Sequence, residues 1–313
     1  MRGYFGGIFV SLSLLFAVKA TGETPPSPLI GVTIDDVTPV QEIIRSLSQI
    51  TIKPTARVVF DFGRSPNSYK SALIKMKSAA YIMGQIADSS EMKNITPEAY
   101  RLRTQTFWRA LQNEVDIWEV GNEVNGLWLG PHAFEKIRNA YEEISKKKSL
   151  TAVTFFYEGE PEDTVNCIEA PGSDMFSWIH KHFELDKKPS ARSSQSEKMR
   201  LGLSYVFVSW YPDQCFEIKP RWKEVFIKLA QIFPNAKVGF GEIGPEKPQF
   251  GSEYEINLIR EFYSMSKDPQ FHENFVGGYF WWHFVSEMVP AEKTPLLKTL
   301  NEAISPSASN RAP

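Results

Sequence analysis

The sequence predicts an α/β protein built as a single (β/α)8 barrel, and three observations lead to this prediction. Apolar runs of strand type alternate with segments of helical apolar spacing, which indicates a parallel sheet with helical crossovers. We count eight such pairs, and the chain of 313 residues exceeds the roughly 250 that such a barrel needs. An open doubly wound sheet is the alternative, but the chain has no Gly-rich phosphate loop of the kind those sheets carry.

The predicted strands are apolar runs bounded by polar or turn-forming residues. They cover residues 29–34, 57–62, 79–87, 115–120, 150–157, 201–211, 237–240 and 275–284. The helices are predicted where apolar residues recur three and four positions apart, as Ile43, Ile44 and Leu47 do in the first of them. They cover residues 40–48, 69–77, 96–112, 131–145, 173–183, 222–233, 253–266 and 296–304. The third helix begins at an N-cap, Thr96, because Pro97 suits the first helical position.

The first 20 residues have the pattern of a secretory signal peptide. Arg2 precedes an almost wholly apolar run, and the small residues around Ala20 suit a cleavage site. A membrane anchor is the alternative, but it needs about 20 apolar residues, and this run is shorter and contains a Gly pair. We expect a secreted or periplasmic protein without membrane contact after cleavage. The predicted organisation is a signal peptide over 1–20, a Pro-rich leader over 21–28, one barrel over 29–304 and a disordered tail over 305–313.

Charge and histidine spacing exclude several kinds of partner. Lys and Arg number 35 against 37 acidic residues, so the chain lacks the basic excess that nucleic-acid binding requires. Four of the 5 histidines, His132, His180, His182 and His272, show no ligand spacing with Cys or Asp, and we predict no metal and no cofactor. The Ser-rich polar stretch over 186–198 is predicted to be a surface loop. We expect the chain to act as a monomer.

Two cysteines, Cys167 and Cys215, are an even number in a chain predicted to be exported, which favours a disulfide. Two separate free thiols are the alternative. In the predicted barrel Cys167 follows the fifth strand and Cys215 the sixth, so both lie in adjacent loops on one barrel face. A bridge there would stabilise the fold by about 4 kcal/mol in the chain-entropy model.

Two strand ends carry the candidate chemistry. In residues 116–126, Asp-Ile-Trp-Glu-Val-Gly-Asn-Glu-Val-Asn-Gly, the fourth strand leads into Asn122 and Glu123. In residues 236–244, Ala-Lys-Val-Gly-Phe-Gly-Glu-Ile-Gly, the seventh strand delivers Glu242 to its end. Active sites of (β/α)8 barrels lie at the carboxyl ends of the strands, so both glutamates are expected to face the barrel mouth.

These two segments resemble clan A of the retaining glycoside hydrolases, which includes cellulase, β-mannanase, β-1,3-glucanase and endo-galactanase families built on this barrel. The resemblance implies that Glu123 is the general acid/base and Glu242 the nucleophile, with carboxyls about 5 to 5.5 Å apart. The Val-Gly-Asn-Glu-Val run is similar to the β-1,3-glucanase branch, whereas Gly-Glu-Ile-Gly departs from that branch's Ser-Glu-Ser-Gly-Trp-Pro segment. No family within the clan is assigned.

The resemblance implies three supporting residues. Asn122 would hydrogen-bond the sugar 2-hydroxyl. Arg57, early in the second strand, would keep the nucleophile ionised and oriented, unless it is a strand-end charge that reaches solvent. Tyr211, at the end of the sixth strand, would donate to the nucleophile. The third strand departs from the clan, because it ends in Gln85-Ile-Ala-Asp88 where several families carry a histidine.

Aromatic residues near the strand ends are candidate platforms for a sugar ring, because a flat ring face matches the C–H face of a pyranose. In Tyr-Phe-Trp-Trp-His over residues 279–283, alternation allows only one of Trp281 and Trp282 to point inward, and both could instead pack in the barrel wall. His283 is expected to support the site without reacting. Further candidate platforms are Trp128, Tyr157 and Trp210.

The sequence therefore predicts a secreted, single-domain retaining β-glycosidase that cleaves within a β-linked polysaccharide. β-Glucan or β-mannan is the expected substrate, with β-galactan behind them. One alternative is a transglycosylase that passes the same glycosyl-enzyme to a sugar acceptor. A second is a barrel that binds carbohydrate without turnover, which the presence of both Glu123 and Glu242 disfavours. An interaction scaffold has no sequence feature in its favour.

Overall fold

The computed structural model describes residues 22–163, 166–186, 194–215, 218–265, 268 and 271–305. Its eight strands form one closed barrel in sequence order, each parallel to the next, and the last pairs with the first. This confirms the predicted (β/α)8 barrel and rules out the open sheet. The predicted signal peptide and the tail beyond Ser305 lie outside the described residues.

The strands are short and the helices lie between them. The strands are β1 Leu29–Ile34, β2 Thr55–Val59, β3 Tyr81–Gln85, β4 Ile117–Gly121, β5 Leu150–Phe156, β6 Tyr205–Trp210, β7 Lys237–Ile243 and β8 Gly277–Trp281. The α-helices are α1 Val40–Ser48, α2 Asn67–Met76, α3 Pro97–Leu111, α4 Ala133–Ser145, α5 Met175–His182, α6 Gln195–Gly202, α7 Trp222–Ile232, α8 Glu253–Ser264, α9 Phe284–Met288 and α10 Leu296–Ile304. Two 3₁₀ helices are Ser89–Asn94 and Leu127–Leu129.

Alternation along the strands divides the core into two layers. Ile117 belongs to a small apolar cluster inside the barrel, whereas its neighbour Trp118 belongs to the large cluster between barrel and helices. Arg57 stands in register beside Met83, another member of the inner cluster. Arg57 therefore points into the barrel, where it is completely buried. This burial excludes the alternative that Arg57 is a strand-end charge reaching solvent.

Two predicted segments differ from the structure. Helix α6 begins within the stretch predicted to be a surface loop, because the Ser194 hydroxyl caps it by accepting from the Glu197 amide. Ser196 and Met199 are the buried residues of this helix, so the sequence shows no helical periodicity of apolar residues there. The eighth strand ends at Trp281 instead of 284, and α9 follows at once. The described part of the chain thus holds ten α-helices, not the predicted eight.

Glycines let β8 approach β7 closely. Gly277 and Gly278 both have positive φ, at 85° and 101°, which side chains rarely tolerate. A β-carbon on Gly278 would overlap the carbonyl oxygen of Phe240 in β7. The close approach brings the end of β8 beside the end of β7, where Glu242 lies.

A disulfide joins Cys167 to Cys215, with the two Cα atoms 6.0 Å apart, which confirms the predicted pairing. It links the loop after β5 to the loop after β6. No helix within the described residues is long and apolar enough to span a bilayer.

Removing this disulfide should lower the free energy of unfolding. Replacing both Cys167 and Cys215 by Ser frees a segment with a sequence separation of 48 residues in the unfolded chain. The expected loss is about 4 kcal/mol, measured by urea unfolding. A reductant should bring the wild type to the same value and leave the double variant unchanged. Equal stabilities of the oxidised wild type and the double variant would contradict the prediction.

Candidate active site

A cavity of about 480 Å³ opens at the carboxyl ends of the strands. Aromatic and acidic side chains dominate its walls. The aromatic residues are Trp128, Phe156, Tyr157, Trp210, Tyr211 and Trp282. The acidic residues are Asp88, Glu123, Glu158, Glu169, Glu242 and Glu246. Glu123 and Glu242, predicted from strands four and seven, therefore line one cavity.

Glu242 lies near the end of β7 and accepts three hydrogen bonds. Arg57 Nη1 donates to its Oε1 at 2.6 Å, and Asn122 Nδ2 donates to the same oxygen at 2.9 Å. The Tyr211 hydroxyl donates to Oε2 at 2.6 Å. A cation and two neutral donors favour the charged form of a buried carboxyl. Their geometry also fixes the orientation of the Glu242 side chain.

Arg57 is itself held by Glu119, a residue that the sequence analysis missed. Arg57 Nε and Nη2 donate to the two Glu119 oxygens at 2.7 and 3.1 Å, a bidentate pair with both side chains buried. Thr154 Oγ1 donates to Glu119 as well. The sequence did contain a signal for this pair. Glu119 is a lone carboxylate at an inward position of an apolar strand, and such a buried charge requires a cation as its partner.

Glu123 follows β4 in a left-handed backbone conformation, with φ of 47°. This conformation costs a non-glycine residue about 1 to 2 kcal/mol. Backbone hydrogen bonds on both sides stabilise the turn, from Val124 N to Thr154 O at 3.1 Å and from Gly126 N to Glu123 O at 2.8 Å. Ser89 Oγ, in the 3₁₀ helix after β3, donates to Glu123 Oε2 at 2.8 Å. Strain held in this way is typical of functional positions.

The two glutamates differ in electrostatic environment. Burial raises the pKa of Glu123 well above its ordinary value, and the charges of Glu242 and Asp88 raise it further. Burial raises the pKa of Glu242 as well, but Arg57 and the Tyr211 hydroxyl act in the opposite direction. The arrangement therefore favours a protonated Glu123 beside an ionised Glu242. Burial and the Glu242 charge also raise the pKa of Tyr211, which keeps it a neutral donor.

The structure distinguishes the two tryptophans of strand eight. Trp281 is 0% exposed, packs in the outer core and donates from Nε1 to Glu287 Oε2 at 3.1 Å. It cannot contact a ligand in the cavity, so its place among the candidate platforms was wrong. Trp282 comes after the strand has ended and lines the cavity. The reason is alternation, since Phe280 points inward and Trp281 outward.

The remaining candidates divide between the cavity and its surroundings. Trp128 packs its ring edge on Phe156, with centroids 5.3 Å apart, and Tyr157 packs on Trp210 at 5.8 Å. All four line the cavity. His283 does not line it; its Nε2 lies 2.9 Å from the carbonyl oxygen of Pro245, in the loop after β7. Within the described ranges, no group of three His, Cys, Asp or Glu side chains is arranged to hold a metal ion.

No protein-family model and no curated protein sequence matches the chain. Among solved structures, endoglucanase Cel5A of Pseudomonas stutzeri matches with a TM-score of 0.54 at 12% identity, over 91% of this chain and 98% of that one. A β-glucosidase from Thermotoga maritima matches with a TM-score of 0.56 at 12% identity, over 83% of this chain and 89% of that one.

Saccharomyces cerevisiae Gas2p matches with a TM-score of 0.52 at 13% identity, over 90% of this chain. The matched region spans 61% of the length of Gas2p. At these identities the likeness concerns the fold. The chain therefore has a (β/α)8 barrel similar to those of known glycosidases.

Proposed function

We propose that this protein is a retaining β-glycoside hydrolase that cleaves a β-linked polysaccharide or oligosaccharide. The observation that carries the proposal is the contrast between two buried carboxyls in one cavity. Glu242 accepts from a cation and two neutral donors, whereas Glu123 accepts only from the Ser89 hydroxyl among the described residues. Retaining hydrolysis needs one ionised and one protonated carboxyl flanking the bond.

In the first step the ionised Glu242 attacks the anomeric carbon while the bond to the leaving oxygen breaks. Glu123 gives its proton to that oxygen, so the leaving sugar departs as a neutral alcohol. The products are a glycosyl ester of Glu242 and an ionised Glu123. Arg57 and Tyr211 hold the attacking carboxylate in its orientation throughout.

In the second step Glu123 removes a proton from water, and the water oxygen attacks the anomeric carbon. The ester bond breaks and the electron pair returns to Glu242. Asn122 Oδ1 is buried and has no hydrogen-bond partner among the described residues, so it is available to accept from the sugar 2-hydroxyl. The two inversions together retain the β configuration.

The aromatic walls support a sugar chain as the substrate. Trp282, Trp128 and Tyr157 line the cavity, and the Trp282 amide donates at 3.0 Å to the carbonyl oxygen of Ile243, the residue after Glu242. β-Glucan and β-mannan are the first candidates, cleaved within the chain, with β-galactan next. Cel5A is named an endoglucanase, and Gas2p has been solved in complex with laminaritetraose and laminaripentaose, which favours β-glucans. Export through the predicted N-terminal signal sequence agrees with the disulfide, since such bonds are typical of exported proteins.

A transglycosylase is the second candidate, because a sugar hydroxyl could replace water in the second step. It would yield oligosaccharides longer than the substrate. A non-catalytic carbohydrate-binding barrel would bind glycans and release nothing.

The test is incubation of the mature protein with β-glucans, β-mannans and β-galactans, with products followed by chromatography and proton NMR. We expect short oligosaccharides whose new reducing ends are first formed as the β anomer. A first-formed α anomer would contradict retention. Binding without any product would favour a non-catalytic carbohydrate-binding barrel over an enzyme. Products longer than the substrate would favour the transglycosylase.

A further inference from the structure

The charge of the cavity goes beyond what the proposed hydrolysis requires. Its described lining contains no Lys, Arg or His. Glu123 and Glu242 serve the reaction, and Arg57 below them is already shared between Glu242 and Glu119. Four further carboxyl groups remain on the walls: Asp88, Glu158, Glu169 and Glu246. An anionic sugar such as a uronic acid would be repelled by this surface.

Glu158 is the most unusual of these groups. It lies just after β5 and is 6% exposed. No hydrogen bond or ion pair from its carboxyl to another described residue is present. Burial raises the pKa of Glu158 to about 7, and the charges of Glu169 and Asp174 contribute to the increase. A mostly buried carboxyl that lines a cavity and has no partner among the described residues offers its oxygens to a ligand group.

Glu169 belongs to the same disulfide-bonded loop after β5 as Glu158. The amide of Cys167 donates to the carbonyl oxygen of Glu158 at 2.9 Å, and Cys167 is bonded to Cys215 in the loop after β6. Glu169 stands two residues beyond Cys167 and lines the same cavity. The buried Glu158 and the exposed Glu169 therefore line the same cavity from one loop.

The chemistry of this wall favours a cation as its occupant. A neutral sugar hydroxyl would give Glu158 one hydrogen bond but leave the repulsion between Glu158 and Glu169 in place. An ammonium group donates to both carboxyls and compensates their charge. The nearby rings of Tyr157 and Trp210 would hold the sugar that carries the ammonium.

We propose that the cavity binds a β-linked glycan with free amino groups, an aminated counterpart of the neutral β-glucans, whose ammonium is received by Glu158 and Glu169. The proposal rests on the proposed function in taking this cavity as the glycan site. Its ligand class can be measured without turnover.

The probes are a matched pair, cellopentaose and the β-1,4-linked glucosamine pentamer, which differ in carrying a hydroxyl or an amine at position 2. Binding is measured by calorimetry at neutral pH and low salt on Glu242→Gln, so that hydrolysis does not interfere. We expect the amine pentamer to bind at least about tenfold more tightly, and we expect added salt to reduce the difference because screening weakens charge pairs.

Glu158→Gln in the same background removes the charge and keeps the shape. It should reduce the amine preference to less than about threefold, with little change in cellopentaose affinity. Glu302→Gln makes the same charge change on the exposed face of α10 and should leave the preference intact. Equal binding of the two pentamers, or equal loss of both in Glu158→Gln, would overturn the proposal.

Cleavage by the wild type distinguishes this inference from the proposed function. Cleavage of cellopentaose without any amine preference in binding would contradict the aminated ligand and support the proposed hydrolase. An amine preference that depends on Glu158, without cleavage of either pentamer, would support the aminated ligand and contradict the proposed hydrolase function.

Discussion

Replacing Glu242 by Ala is expected to lower kcat/KM on the proposed β-linked substrate by on the order of 10⁵-fold. The variant has no carboxylate to attack the anomeric carbon. The donors Arg57, Asn122 and Tyr211 also lose their common acceptor. Arg57 keeps its bidentate pair with Glu119, so the barrel should still fold. Circular dichroism and urea unfolding would verify this.

Rescue of activity by azide tests directly whether Glu242 is the nucleophile. A small anion can occupy the space of the missing carboxylate and attack the sugar from the same side. With an aryl glycoside that has a good leaving group, Glu242→Ala should regain turnover in azide and form an α-glycosyl azide. Glu302→Ala, on the exposed face of α10, is the matched control and should keep wild-type activity. Activity above about a tenth of wild type in Glu242→Ala would exclude Glu242 as the nucleophile.

Glu123→Gln is expected to lower the rate on polysaccharide by about 10³-fold, because the leaving oxygen must depart without a proton. An aryl glycoside with an acidic leaving group should lose far less in its first step. Azide should then give a β-glycosyl azide, since Glu242 still forms the covalent intermediate. Equal losses on both kinds of substrate would argue against an acid role for Glu123.

The pH profile gives a second test of Glu123. Activity requires the protonated form, and burial raises the pKa of Glu123, so activity should persist above the ordinary range of a glutamate. It should fall as the pH rises through that raised pKa, and this alkaline limb should be absent in Glu123→Gln. Ser89→Ala removes a hydrogen bond that lowers the Glu123 pKa, so its alkaline limb should move to higher pH. An unchanged alkaline limb in Glu123→Gln would assign it to another group.

Features encoded within single strands could be predicted from the sequence. The endings of β4 and β7 are local apolar runs, so the positions of Glu123 and Glu242 at the barrel mouth followed from the count of eight units. The disulfide followed from the same count, because it placed both cysteines in adjacent loops. The end of β8 could not be found, since the aromatic run continues into the turn without a change in composition.

Contacts between distant segments could not be read from the sequence. Glu119 meets Arg57 across a sequence separation of 62 residues, and their pairing depends on the register of strands that do not adjoin in the chain. Ser89 contacts Glu123 from a 3₁₀ helix after β3, where a serine among polar residues gives no signal. The charge of the cavity lining likewise emerges only when the ends of β3, β4, β5 and β7 meet, so the sequence predicted a neutral glycan and not the aminated one proposed from the structure.

The cluster of Arg57, Glu119 and Glu242 has a consequence for the proposed hydrolysis. One guanidinium is shared by two carboxylates, so the ionised cluster carries a surplus of one negative charge beside the protonated Glu123. As a glycosidic bond breaks, the sugar ring acquires positive, oxocarbenium-like character. A fixed negative charge in a buried site requires no reorganisation at that moment. In the proposed reaction, the electric field of this cluster would therefore attract the sugar ring more strongly while the glycosidic bond breaks than in the bound substrate.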